Sequence, residues 1–293
     1  MDRAEILAQY AAGDRNFGDG DLTALDLSQC DLSGADFSYA ELVAMNLVRA
    51  NLSNCTLTGA NLASSDLEGA NLRRADLTTA ALNDVNLSGA ELRLAACTRA
   101  EFASACLMIA NLTGSDLSGA NFHRANLLGA QLMGVQFIEA NLTETNLSRS
   151  YLYEADLSEA YVAAANFNGA LFNPQTIFPA GFDPVAAGAY LIAPGVDLAG
   201  RILSGLQLSS VDLSGANLSS ADFRNSLLTW ANLSGANLSG ANLSGANLSG
   251  ANLSGANLDD ALLASANLSG TILPDGTTHA AGQAMIAEVG SGR

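Results

Sequence analysis

Acid–base or triad chemistry in this chain would have to be built on His123 or His279, since the sequence holds only two histidines. His123 follows Phe122 in a regular array and should face outward. The residues 20 positions before and after it, Ala103 and Thr143, offer no carboxylate to orient its ring. A surface histidine is the expectation. His279 opens an amphipathic stretch near the C-terminus, where a local polar contact is expected. Two histidines cannot furnish a His-rich metal centre. The four cysteines, Cys30, Cys55, Cys97 and Cys106, show no CxxC or paired spacing. They read as free thiols in a reducing compartment, with Cys106 alone pointing outward. Every one of the 12 basic residues is arginine, which removes a P-loop lysine, a Schiff-base lysine and a broad basic nucleic-acid footprint. The 29 carboxylates are spread along the array, and none sits in an apolar setting that would single it out as an acid or base. No catalytic, cofactor or metal residue is assigned. The chain does not read as an enzyme.

The elements that position these groups follow from composition and repeat. The 293 residues carry a net charge of −17, yet 49% are apolar and only 14% charged. That excludes an acidic disordered chain. Residues 1–10 contain acids and no apolar run of signal-peptide length. The longest apolar stretch, 185–196, is broken by Gly188, Pro194 and Gly195 and cannot span a bilayer. A cytoplasmic protein without a membrane partner is expected.

From Phe17 to Phe172 every fifth residue is Leu or Phe, except Cys97 and Val162. Ala usually precedes it by two positions, Asn or Asp by one, and Ser, Thr or Gly follow. A second array runs from Leu198 to Leu273 and includes the uninterrupted Ala-Asn-Leu-Ser-Gly units of 231–255. A period of five fits neither helix nor strand: on a helix each step would advance about 500° and smear the leucines around the axis. A chain that turns a corner once per unit, with Ala and Leu inward, satisfies the pattern. Stacked coils would then bury one continuous apolar column.

These units resemble the pentapeptide-repeat family. The resemblance implies an all-β fold, a right-handed quadrilateral parallel β-helix with four pentapeptides per coil. Phe17 and Phe37, Phe102 and Phe122, and Leu25 and Met45 are oversized inward residues spaced 20 apart. That spacing supports a 20-residue coil on its own, because like would stack on like.

Residues 1–16 are expected to hold a capping helix over 4–12, with Ile6, Leu7 and Tyr10 on one face and Gly13 as its stop. Residues 17–172 form a first β-helix of about eight coils, and 173–197 an irregular linking segment. Residues 198–275 form a second β-helix of about four coils. Residues 276–293 form a C-terminal capping helix from Thr278 and a tail. A homodimer through that C-terminal end is the rival reading of the last helix. Both arrays close on the same T-I-x-P-x-G device, at 176–181 and 271–276, and the phase slips by one residue around 173–175.

Sorted by face, the first array is uneven in charge. Two adjacent faces hold Asp36, Asp76, Glu101, Asp116, Glu139 and Asp156 among their acids and sum to −10; the other two sum to −1. The near-neutral faces carry Met108, Ile109, Leu128, Met133, Tyr151 and Tyr153 at outward positions where the repeat wants Ser, Thr or Gly. This is the expected binding site for an unidentified protein partner; packing against the 173–197 segment is the alternative. Arg73, Arg74 and Arg93 form a small cluster, open either to an acidic partner or to pairing with Glu91. The functional expectation is a non-catalytic protein-interaction scaffold without cofactor and without direct nucleic-acid binding. The alternative, implied by the family resemblance, is a DNA-mimicking modulator of a type II topoisomerase (DNA gyrase). B-DNA carries about one charge per 1.7 Å, so about 38 Å of solenoid would need roughly 22 charges. The acidic faces hold fewer than half of that.

Overall fold

The structure is a computed structural model and describes residues 1–280. The chain divides into two compact units, Met1–Ala189 and Tyr190–Arg293. Both are parallel β-solenoids with a 20-residue coil. In the first, Asn16 bridges Asp36, Asp21 bridges Glu41, Asp26 bridges Asn46 and Asp31 bridges Asn51, all parallel, and the same +20 register continues upward. In the second it runs from Asp197↔Asn217 to Asn252↔Ile272. Each pentapeptide gives one bridge and then turns, so longer strands are rare; among the described residues only β1 (Leu171–Phe172) and β2 (Tyr190–Leu191) reach two residues.

The unit Ala50–Asn54 shows why the repeat has its composition. Ala50 N–H donates to Leu47 O within its own coil, Asn51 N–H to Cys30 O one coil back, and Leu52 N–H to Asn71 O one coil on. Ser53 N–H donates to the Asn51 side-chain Oδ1 at 3.2 Å, and Asn54 N–H to Arg73 O at 2.9 Å. All five amides are satisfied. The short amide or carboxylate side chain of Asn or Asp closes the fourth of these, as an Asx turn. The last residue of each unit holds a positive φ, +58° at Asn54 and +65° at Gly59, which makes the corner a type II turn and explains the recurrent Gly. Ala and Leu face the axis, where Leu72, Leu92 and Leu112 are wholly buried.

Bulk in the core is matched coil to coil. Phe17 and Phe37 stack at 5.4 Å, and Phe102 and Phe122 at 4.6 Å with planes 8° apart. Beside Met45, which replaces Ala, lies an apolar void of about 10 Å³ lined by Leu27, Phe37, Leu42, Leu47, Leu52 and Leu57. Leu25 one coil earlier is only half-buried.

The first helix, α1 (Arg3–Ala11), begins one residue earlier than the sequence suggests. Asp2 caps it reciprocally with Glu5: Asp2 accepts from Glu5 N–H at 2.9 Å and donates its own N–H to Glu5 Oε2 at 2.8 Å. Its buried Ile6, the Tyr10 hydroxyl on Ser33 O and Arg3 on Asp26 O all engage the opening coil. The first array ends as the phase slip requires. Ile177, not residue 176, bridges Asp156, and the extra residue is absorbed where Asn173 Oδ1 replaces a carbonyl as acceptor for Glu154 N–H. Beyond it Phe178 and Phe182 pack against Phe167 and Phe172, at 5.1–6.2 Å between centroids. Residues 178–182 thus plug the open apolar end of the first unit.

The second closure corrects an expectation. A helix was expected from Thr278; instead Pro274-Asp275-Gly276 reverses the chain, with Gly276 at φ +84°. Thr278 then pairs antiparallel with Ile272, and His279 exchanges backbone hydrogen bonds with Gly270 and Thr271. The rest of that expected helix lies outside the described residues. His279 also differs from its expected local polar contact: it is buried, and neither ring nitrogen meets a partner among the described residues. Thr176 and Thr271 play one role in the two closures, donating their hydroxyls to Leu152 O and Leu248 O of the coil below. No helix among the described residues is long and apolar enough to cross a membrane.

Candidate partner-binding faces

His123 sits half-buried on its face with Nδ1 2.9 Å from Thr143 Oγ1, whose hydroxyl donates to Asn141 Oδ1 at 2.7 Å. No carboxylate hydrogen-bonds the ring among the described residues. Cys30, Cys55 and Cys97 are buried and Cys106 half-buried, all free. Burial pushes the Cys55 thiol up to about 11 and Cys97 higher still. Among the described residues no group of three His, Cys, Asp or Glu side chains could hold a metal ion.

The acidic residues largely serve the fold. Asp36, Asp76, Asp116 and Asp156 occupy alternate coils of one column and each accepts the N–H two residues on, at 2.8–3.0 Å. Thr56, Ala96 and Gln136 stand between them, so no two carboxylates of this column stack in adjacent coils. Burial raises the Asp76 and Asp116 carboxyls, but bonds from Thr78 and Thr58, and from Ser118 and Thr98, outweigh it and hold both below the usual range. Glu101 accepts from Asn121 Nδ2 at 2.8 Å. Glu139 stands exposed at a corner with φ +58°.

The apolar set falls on two adjoining faces. Ile109 N–H donates to Leu128 O, which sets Met108 and Ile109 one coil before Leu128. Gly134 N–H donates to Tyr153 O, and Gln131 bridges Tyr151, which sets Met133 one coil before the tyrosines. Ile109 is 68% exposed and Met133 is exposed too; Met108, Leu128 and Tyr151 are half-buried. Tyr153 is more enclosed than its repeat position suggests: its hydroxyl is buried without a hydrogen-bond partner among the described residues, and burial raises its pKa. The tyrosine rings lie 6.5 Å apart.

Sequence reasoning missed the corner residues Tyr39, Leu94 and Trp230, all large, apolar and exposed. The signal was available, since each stands at the last position of its unit, where Gly or Ser is usual. Each leans over a glycine one coil on: a Cβ built at Gly59, Gly114 or Gly250 would meet Tyr39, Leu94 or Trp230 at 2.6, 2.9 and 2.5 Å. Ile109 stands in the same relation to Gly129, at 3.4 Å. The three arginines are exposed, with Arg74 N–H donating to Arg93 O across adjacent coils. None of the three forms an ion pair among the described residues; Glu91 accepts from Asn111 instead.

The pentapeptide-repeat pattern matches in eight copies, over residues 16–54, 46–84, 110–137, 130–173, 195–229 and 226–263. No curated protein sequence matches significantly. Among solved structures, HetL of the cyanobacterium Nostoc sp. strain PCC 7120, a pentapeptide repeat protein involved in heterocyst differentiation regulation, is 32% identical. That match covers 95% of this chain and all of HetL, with a TM-score of 0.24. QnrB1, a plasmid-mediated fluoroquinolone resistance protein, is 20% identical over 59% of this chain and 93% of its own, with a TM-score of 0.28. A pentapeptide repeat protein of the Arabidopsis thaliana thylakoid lumen is 29% identical over 30% of this chain and 66% of its own, at a TM-score of 0.26. With eight repeat copies spread over both units, the chain belongs to the pentapeptide-repeat family.

Proposed function

We propose that the chain is a non-catalytic scaffold, acting in the cytoplasm, whose protein partner seats on the near-neutral faces of the first unit around Ile109, Leu128 and Met133. One observation carries the reading. Ile109 is β-branched, held at φ +52° and 68% exposed. A side chain branched at Cβ is a genuine outlier in the left-handed region and costs on the order of 1–3 kcal/mol there. Its own column has Gly89 before it and Gly129 after it. The folded unit gains little from an exposed isoleucine at that corner, so the residue supports a role outside the fold. Met133 and Leu128 extend the same apolar surface, and such residues supply the anchors of protein interfaces.

The test is Ile109→Gly. It should raise the stability of the isolated protein while weakening capture of its partner, alone or with Leu128→Ser. Capture that survives both changes, with the fold intact, would overturn the reading.

The second reading, a DNA-mimicking modulator of a type II topoisomerase, is favoured by the column Asp36, Asp76, Asp116 and Asp156, whose carboxylates are each fixed by a turn hydrogen bond. Its carboxylates stand two coils apart, about 9.6 Å at 4.8 Å per coil, sparser than duplex phosphates. Salt-sensitive competition with DNA for gyrase, lost on neutralising Asp76, Asp116 and Glu101, would support it over the apolar face.

A further inference from the structure

Arg73, Arg74, Arg93 and Leu94 form the surface feature whose neighbours best define an occupant. The protein carries 29 carboxylates against 12 arginines, so an exposed guanidinium has many chances to find a partner. Arg3, Arg124 and Arg224 do, with Asp26, Glu144 and Asp222. Arg73, Arg74 and Arg93 form no ion pair among the described residues, although they share two adjacent coils of one face. Three like charges on adjacent coils repel one another. Glu91, between them in sequence, has its carboxylate engaged by Asn111 at 3.3 Å.

Next to them the face becomes apolar. Leu94 is exposed at φ +58° and leans over Gly114, whose N–H donates to Met133 O in the following coil. From the Arg73 coil to the Met133 coil is three steps, about 14 Å at 4.8 Å per coil, the span of four or five extended residues. The length, the unpaired positive charge at one end and the exposed Leu94 and Met133 at the other define the complement.

We propose that this strip binds a short extended acidic peptide segment of a partner protein, its carboxylates on the three arginines and an apolar side chain on Leu94 and Met133. The inference rests on the scaffold reading and names the chemistry of the partner's docking segment. A nucleic acid fits less well. It has no apolar side chain to place on Leu94 and Met133, and it would meet no further arginine along this face beyond Arg93 in the first unit. Guanidiniums favour carboxylates by paired hydrogen bonds, and charges at the edge of an apolar patch set specificity and association rate.

The experiment measures fluorescence anisotropy of a fluorescein-labelled octapeptide with three acidic residues followed by two leucines. The comparators are the same peptide with lysines for the acids, the same with serines for the leucines, and an eight-nucleotide oligothymidylate. The acidic-leucine peptide should bind the full chain in a salt-dependent way. Binding should weaken about tenfold or more in Arg73→Ser/Arg74→Ser/Arg93→Ser, and severalfold in Leu94→Ser. A control triple, Arg49→Ser/Arg99→Ser/Arg201→Ser, has the same net charge and should lose far less. All variants are checked by thermal melts, and the substituted side chains are exposed.

No detectable peptide binding, or equal loss in the two triples, overturns the inference. So does oligothymidylate binding as tightly with no dependence on Leu94. If Ile109→Gly abolishes partner capture while the arginine triple leaves peptide binding unchanged, this inference fails and the scaffold reading stands. If capture ignores Ile109 and Leu128 while the peptide still needs the arginines, the scaffold's apolar site fails and the acidic-peptide strip stands.

Discussion

Trp230 stands over Gly250: a Cβ built on that glycine would lie 2.5 Å from Cε3 of the indole one coil below. Gly250 therefore meets two demands, a left-handed corner at φ +69° and room for the ring. Gly255, at φ +67°, meets only the first, because nothing lies within 4 Å of its added Cβ. Trp230 is the only tryptophan in the chain, so its emission reports on this contact alone. Gly255→Ala should cost about 1–2 kcal/mol for the left-handed alanine and leave the emission unchanged. Gly250→Ala should displace the ring, shift the emission to the red and increase acrylamide quenching. In a Trp230→Ser background the two alanine substitutions should cost the same. Identical spectra for the two single variants would show that the ring does not rest on Gly250.

The column Asp31, Asn51 and Asn71 carries the second prediction. Asn51 Oδ1 accepts from Ser53 N–H and from Asn71 Nδ2, and its own amide donates to Asp31. Asn51→Ala leaves the Ser53 N–H and the Asn71 Nδ2 without their acceptor and removes one of the donors to Asp31, which keeps Ser33 N–H, and should destabilise the unit by about 1–3 kcal/mol. Asn51→Asp keeps the turn acceptor but sets a second carboxylate one coil above Asp31. Added salt should shrink its penalty and leave that of Asn51→Ala unchanged. Denaturant midpoints at two ionic strengths decide between these outcomes.

How much of this was legible depended on whether a residue's role was local or set by the coil below. The 20-residue coil could be read from Phe17/Phe37 and Phe102/Phe122 because core bulk must be matched between coils. The phase slip at Asn173 was legible because any inserted residue breaks a period of five. Tyr39, Leu94 and Trp230 were hidden in the exception class of the repeat, where bulk means something only when the glycine 20 positions on is read with it. The direction of the last turn was not legible. Pro274 and Gly276 signal a stop, but not that the chain doubles back to pair Thr278 with Ile272. Asp76 and Asp116 look like free surface charge in sequence, although their carboxylates close turns.

Leu72 faces the axis and is wholly buried, while Thr113 faces outward, only half-buried, at a turn. Leu72→Asp would place an unpaired charge in the column and should unfold the first unit, at a cost of several kcal/mol. Thr113→Asp should change the melting midpoint little. Circular dichroism melts that coincide for the two variants would invert the assignment of inside and outside.

The buried thiols make stability fall at alkaline pH. The Cys55 pKa is raised by burial from 9.0 to about 11, so the folded state keeps a proton that the unfolded chain releases. Its contribution is fully present below about pH 9 and is lost as pH rises toward 11. Cys55 occupies an alanine position of the repeat, so Cys55→Ala fits the fold and should flatten this loss, measured as denaturation midpoint against pH. Cys106, half-buried with its Sγ 3.2 Å from Ser88 Oγ, should be the one thiol that reacts with Ellman's reagent in the native protein at pH 8. All four should react after denaturation without reductant.

The stacking relation also decides which deletions the second unit tolerates. Removing residues 231–250 takes out one coil, and the residue that then follows Trp230 by 20 positions is Gly270, a left-handed glycine like Gly250. Every inward leucine keeps its column, and the ring keeps a glycine one coil on. Removing residues 231–245 preserves the five-residue phase as well, but brings Ser265 against the indole and rotates all later units by one face. The five-residue pattern alone scores both deletions as harmless. The coil-to-coil pairing separates them: the 20-residue deletion should keep the melting temperature and tryptophan emission near wild type, and the 15-residue deletion should lower the first and red-shift the second. Equal behaviour of the two proteins would mean that the second unit is held by its five-residue pattern alone, and that Trp230 has no preference for what lies above it.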